Sequence, residues 1–291
     1  MTWFAYAVLS AFLGSLSAII EKRTLSHIHA MDFSIVLSFA AALCSLPFLL
    51  SGDWHSVPPF LIALIFAISL LAAFAFIGVT RGLRHLDIST TSSLFLLGPF
   101  ITALLAFLLL GETLTPLQLV GIVLLAVGIY VLETKHFFRF SEFWTNMTES
   151  KYTKYIFFGL FLYGFTGVGD RIILGHFHVD AKFYTALLQF FLAIQFTLIA
   201  FYYRGGLRAP LLAAKKEWKM IFLVALLTTL YRYMQAEATA LAAIGLVIAV
   251  KRSSALFTTI IGGEIFNEKN LVRKSIACLI MIAGVFFIAV K

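Results

Sequence analysis

The chain has 291 residues, 61% of them hydrophobic and 12% charged, and a formal net charge of +8. So little polar surface excludes an ordinary soluble domain. The basic residues are scattered through short segments and form no patch, which argues against nucleic-acid binding. A chain of this size holds roughly ten apolar spans of ~20 residues joined by short loops.

The first apolar stretch, 3–22, carries Ser10, Gly14, Ser17 and Glu21 at helical spacing, so all four share one face. No basic residue precedes it and no small-residue cleavage site follows, so it reads as a span rather than a removable leader. Further spans are expected at 33–51, 59–80, 88–110, 115–133, 153–174, 182–203, 218–240, 244–266 and 271–290. Their continuous apolar character, without strict alternation, indicates helices rather than a membrane barrel. Pro99 falls mid-span in the fourth, where a lost backbone hydrogen bond should kink or open the helix. In the connection after the fifth, His136-Phe137-Phe138-Arg139-Phe140 and Phe143-Trp144 read either as an amphipathic segment in the cytoplasmic interface or as a linker with anchoring aromatics. The sixth span repeats the polar stripe of the first with Tyr163, Thr166, Gly167 and Asp170. The eighth carries Thr228, Arg232, Gln235 and Thr239 on one stripe; the ninth carries Lys251, Arg252, Ser253, Ser254, Thr258 and Thr259. Cys44 and Cys278 lie within spans as small hydrophobes and indicate neither a disulfide nor a zinc site.

The two halves match each other. Glu21-Lys22 through His27-Ile28-His29 align at one constant offset with Asp170-Arg171 through His176-Phe177-His178. At a slightly larger offset, Ile88 aligns with Ile244, Thr102 with Thr258, Glu112 with Glu268 and Gly128 with Gly284. The fold expected is an all-α integral membrane protein of ten transmembrane helices arranged as two inverted five-helix repeats. The first repeat occupies 1–138, a cytoplasmic linker 139–151, and the second repeat 152–291. An odd helix number per repeat inverts the second copy, an arrangement suited to alternating access.

Loop charge sets the orientation. The connections 1–2, 3–4, 5–6, 7–8 and 9–10 carry Lys22, Arg23, Arg81, Arg84, Lys135, Arg139, Lys151, Lys154, Arg204, Arg208, Lys215, Lys216, Lys219, Lys269, Arg273 and Lys274. The opposite side has Arg171, Lys182 and Lys291. The positive-inside rule makes the first set cytoplasmic and both termini external, in a bacterial cytoplasmic (inner) membrane.

Polar residues inside spans are costly in lipid, so these stripes should face the bundle interior or a wet vestibule. The plainer reading is that small and hydroxylated residues at such spacing form helix-packing surface. Glu21 and Asp170 sit near helix ends and either snorkel to the interface, pairing with Lys22 or Arg171, or act as counter-charge. Arg232 is about as deep as its helix allows, where an unpaired guanidinium costs at least ~2.5 kcal/mol, so an acid or a bound anion must compensate it. Lys251, Arg252, Arg232, Gln235 and Thr258 are the candidates for substrate binding; Glu21, Asp170 and Arg171 are the candidates for counter-charge or proton coupling. The paired histidines suggest no metal site, since a third ligand is missing and inversion separates the pairs. An intramembrane enzyme lacks a motif, with no HExxH or GxSxG present. A sensor or scaffold would call for an appended soluble domain.

Leu97-Gly98-Pro99-Phe100, Gly111-Glu112, Gly121 and Gly128, echoed by Ser253-Ser254-Ala255-Leu256-Phe257, Asn267-Glu268 and Gly284, resemble the EamA-type unit of the drug/metabolite transporter superfamily. The second copy departs at Ala255 for Pro99, Asn267 for Gly111 and Ala277 for Gly121. The resemblance implies a secondary transporter without a cofactor, moving a small molecule through the bilayer, with protons as a possible coupling ion and the oligomeric state open. Superfamily cargoes range over amino acids, purines, nucleotide sugars, sugar phosphates and drugs. Val250-Lys251-Arg252 is similar to the Lys-Arg pair of plastid triose-phosphate translocators, which belongs to their phosphate site. An anionic metabolite is therefore expected as cargo. The alternative is export of amino acids or amphiphilic compounds, suggested by the 31 phenylalanines and the tyrosines at 202, 203, 231 and 233.

Overall fold

A computed structural model describes residues 2–25, 27–51, 57–83, 94–95, 97–133, 151–254, 257, 261 and 271–289. Among them the chain forms ten α-helices: α1 (Trp3–Leu25), α2 (Ala30–Leu50), α3 (Pro59–Leu83), α4 (Leu97–Leu110), α5 (Pro116–Glu133), α6 (Lys151–Arg171), α7 (Ala181–Arg204), α8 (Arg208–Leu241), α9 (Ile244–Arg252) and α10 (Leu271–Ala289). A π-helical turn, Ile172–His176, extends α6. Five of the helices are long and apolar enough to cross a membrane: those containing Trp3–Leu25, Met31–Leu50, Pro59–Val79, Tyr152–His176 and Ala181–Tyr203. Shorter apolar helices cover Leu97–Leu110, Pro116–Val131 and Ile276–Ile288.

Local chemistry explains several helix ends. Thr115 and Gln118 form a reciprocal capping box at the start of α5, with Thr115 N–H donating to Gln118 Oε1 at 3.0 Å and Gln118 N–H to Thr115 Oγ1 at 3.3 Å. Pro116 occupies the first helical position, where its missing N–H costs nothing. The Asp180 carboxylate caps α7 by accepting the Lys182 N–H at 2.7 Å. The α7 terminus closes on Gly205 in the left-handed region (φ 66), which donates its N–H to Ala200 O. Within α8, Glu217 leaves helical geometry (φ −117, ψ 23), so 208–216 and 218–241 are two helical segments meeting at a kink.

The chain divides into two compact units, Met1–Ala73 with Asp170–Leu241, and Phe74–Gly169 with Ala242–Lys291. Each unit draws on both ends of the sequence. In the first, α8 packs on α1, α2 and α7, and α2 packs on α7. Leu61, Ile65 and Ile68 of α3 join Ile173, Leu174, Phe183, Tyr184 and Leu187 in one buried cluster. In the second, α5 packs along α10, and α9 lies against α4, α5 and α10.

The structure bears on three sequence expectations. The Ser10–Gly14–Ser17 stripe of α1 meets α8: Ser10 Oγ donates to Tyr231 O at 2.8 Å, Ser17 Oγ meets Thr228 Oγ1 at 3.3 Å, and Gly14 faces the Tyr231 ring. This is packing surface between α1 and α8, the plainer of the two readings. On α6, Gly167 lies against Ile244 and Thr102, and Thr166 Oγ1 donates to Tyr163 O of its own helix. The ninth helix also ends earlier than expected, at Arg252, with Ser253 in a turn; residues 254, 257 and 261 are again helical. The segment around His136–Trp144, Thr258 and Glu268 lie outside the described residues, and Pro99, expected mid-span, falls in the first turn of α4 as described.

The closest backbone approach in the second unit is at α5–α10. A Cβ on Gly121 would sit 2.7 Å from Gly284 O, and one on Gly284 would sit 2.7 Å from Leu125 N. Neither obstacle is a flexible side-chain end, so the helices themselves must separate. Gly121→Val and Gly284→Val are each expected to cost about 1–3 kcal/mol, read as a lower midpoint of thermal unfolding in detergent, whereas Val123→Leu on the exposed face of α5 leaves the midpoint within error.

Candidate functional site

One group of ionisable side chains in the first unit lies where the end of α6, the start of α7 and the middle of α8 meet. Tyr184, only 2% exposed, sits in the first turn of α7 because Asp180 caps that helix. Its hydroxyl donates a hydrogen bond to Asp170 Oδ1. The Arg232 guanidinium is close enough to act electrostatically on the same hydroxyl. Asp170, Tyr184 and Arg232 are thus one cluster. Two sequence candidates meet there, joined by a tyrosine that sequence reasoning passed over as part of an apolar run.

The next residue along, Arg171, has a different task. Its Nη1 donates to Thr239 O at 2.7 Å and Ala240 O at 2.9 Å, the last carbonyls of α8. A guanidinium there satisfies acceptors left open by the helix end and complements its partial negative charge. A Cβ on Gly175 of the π-turn would overlap that guanidinium. Thr239, 1% exposed, also carries a buried hydroxyl without a hydrogen-bond partner among the described residues. Nearly two turns earlier, Tyr233 is hydrogen-bonded to Glu237 and feels Tyr6 and Asp180 electrostatically. Gln235 is half-buried on the same stretch of α8.

Glu21 is not brought to Arg232. The Ser17–Thr228 contact fixes the level of α1 against α8, and the Ser10–Tyr231 contact shows that the two helices run antiparallel. Glu21 therefore lies one turn beyond Ser17 in one direction and Arg232 one turn beyond Thr228 in the other, roughly 12 Å apart along the axis.

In the second unit, Lys251 and Arg252 form the last turn of α9 and are half-buried. Cations at a helix C-terminus are stabilised by its partial negative charge. Arg252 also lies over the Phe95 ring, 5.5 Å from its centroid, and borders a small crevice lined by Pro99, Ile122, Leu125, Ala126, Ile129 and Ala249. At its other end, α9 lacks a side-chain cap of its own. Glu112 supplies one from the segment after α4, accepting the Ile244 N–H at 3.1 Å. A carboxylate at a helix N-terminus is favourable on both hydrogen-bonding and dipole grounds. The terminal glutamate noted in the sequence motif thereby has a physical role. His27, His29, His176 and His178 are all exposed, and among the described residues no set of three His, Cys, Asp or Glu is positioned to hold a metal.

Replacing Tyr184 by Phe withdraws a buried donor from the Asp170 carboxylate, at an expected cost of about 1–3 kcal/mol. A double-mutant cycle in detergent unfolding reads this directly. Asp170→Asn should destabilise less in the Tyr184→Phe background than in the parent, and additive losses would mean that the pair is not coupled.

The comparisons with known proteins agree with this architecture. A solved crystal structure shares the fold over 99% of this chain and 95% of its own length, with a TM-score of 0.76 at 14% sequence identity. No curated protein gives a significant match. The model of the EamA-like transporter family matches residues 1–134. That match makes residues 1–134 similar to a unit of that family, and the apolar membrane-length helices are those of an all-α membrane protein.

Proposed function

We propose that the chain is a secondary transporter that carries a small, polar, anionic metabolite across a bacterial cytoplasmic membrane by alternating access, with both termini outside. The observation that carries this reading is Arg232, in the middle of the second segment of α8, acting electrostatically on a Tyr184 hydroxyl that donates to the Asp170 carboxylate. A cation kept at such depth is costly unless it works for the protein. Its planar fork suits a carboxylate or phosphate, and Gln235 one turn on offers both a donor and an acceptor. Lys251 and Arg252 add positive charge on α9, which supports anionic over cationic cargo. Asp170 is the acid best placed to exchange a proton as the charge on Arg232 is engaged and released.

Uptake into proteoliposomes from a panel of labelled sugar phosphates and dicarboxylates tests the reading. Arg232→Gln is expected to lower uptake of the transported compound at subsaturating concentration about 10- to 100-fold, the worth of a lost charge-assisted hydrogen bond in a buried site. Asp170→Asn should abolish the response to an imposed pH gradient while binding, followed by thermal shift, persists. Parental uptake in Arg232→Gln, or transport of neutral amino acids alone, would reject the anionic reading.

A further inference from the structure

One outward-facing groove is separate from the charged cluster and independent of the cargo. It lies in the second unit on α6, lined by Lys154, Phe157, Phe158 and Phe161, with a volume of about 260 Å³. These positions fall on one helical stripe. The opposite face of α6 is committed to protein: Thr153, Ile156, Gly159, Leu160 and Gly164 are buried, and Ile156 and Leu160 pack with Leu94. The groove side is open, with Phe158 58% exposed.

Depth along α6 is marked by residue type. Lys154 is in the first turn of the helix, where Tyr152 and Tyr155 also form an aromatic pair with ring centroids 6.5 Å apart. Tyrosine and lysine together at a span's start mark the headgroup level. At about 1.5 Å per residue, Phe161 lies roughly 10 Å deeper, among acyl chains. The loop preceding α6 belongs to the basic, cytoplasmic set, so the groove opens in the inner leaflet.

We infer that this groove is a binding site for an anionic phospholipid, with its phosphate on Lys154 and one acyl chain lying along Phe157, Phe158 and Phe161. The lysine is a point charge at phosphate depth, and the phenylalanines give a rough apolar wall rather than a pocket closed enough for a soluble solute. A zwitterionic lipid fits the same wall but gains less from the lysine.

The test uses the full chain in liposomes containing a trace of photoactivatable acyl-diazirine phosphatidylglycerol or its phosphatidylcholine counterpart, with labelled peptides mapped by mass spectrometry. In the parent protein, the peptide carrying Phe157–Phe161 should label about fivefold more with the anionic probe than with the zwitterionic one, the preference one lysine provides at a membrane surface. Lys154→Gln should bring the two probes to parity at this peptide without changing labelling elsewhere, and Lys154→Arg should restore the preference. Equal labelling in the parent, or a preference that survives Lys154→Gln, overturns the proposal. So does loss of the preference on adding inorganic phosphate, because that outcome describes an anion site and not a lipid groove.

Discussion

A polar atom surrounded by hydrocarbon has lost its water and must find another partner within the protein, or cost several kcal/mol. In the first unit this requirement decides which helices touch and at what level. Gln189 Nε2 donates to Thr229 Oγ1 at 3.1 Å, which ties α7 to α8, and Thr229 in turn approaches the Ala41 carbonyl of α2. Gln195 meets the Ser69 hydroxyl at 2.7 Å in either orientation of its amide, which ties α7 to α3. Such bonds add only about 0.6 kcal/mol each on average within membranes. Their greater effect is on register, since sliding a helix by one residue would strand both partners of every pair. The attraction itself comes from close packing, most visibly where Gly121 and Gly284 let α5 and α10 meet backbone to backbone.

Charge is compensated in two distinct ways. In the first unit, opposite charges and a tyrosine share one cluster, so Arg232 and Asp170 are each held by side chains whose protonation or occupancy can change. In the second unit, the compensation is built into the backbone. Lys251 and Arg252 end a nine-residue helix, and Glu112 begins it, so α9 carries cations at its negative pole and an acid at its positive pole. The second arrangement is fixed by helix ends, whereas the first rests on side chains alone.

Much of the fold was legible because span length and apolar content are set by bilayer thickness, and the helix positions follow the apolar runs closely. The polar stripes were legible as stripes but not as to what they face. Helical periodicity shows that Ser10, Gly14 and Ser17 lie together, yet in lipid both sides of a span are apolar, so composition does not separate a packing face from a wet one. The end of α9 at Arg252 was also hidden, because the apolar run continues past it without Gly or Pro until Gly262. Of the site, Arg232 and Asp170 declared themselves by their cost. Tyr184 did not, since a tyrosine early in a span is ordinary interfacial material until its hydroxyl is seen on a carboxylate. Glu112 was visible as a motif residue, but its acceptance of an amide on α9 depends on a contact between distant parts of the chain that no local pattern records.

Arg171 fastens the last turn of α8 to the chain that immediately follows Asp170. The consequence is mechanical. If α8 tilts, its lower end drags this clasp along, and the neighbouring carboxylate travels with it instead of being left behind in oil. Any solute or proton site built on Arg232 and Asp170 would then keep its spacing. The backbone that leaves helical geometry lies elsewhere, at the Gly205–Gly206 corner and at the break around Glu217.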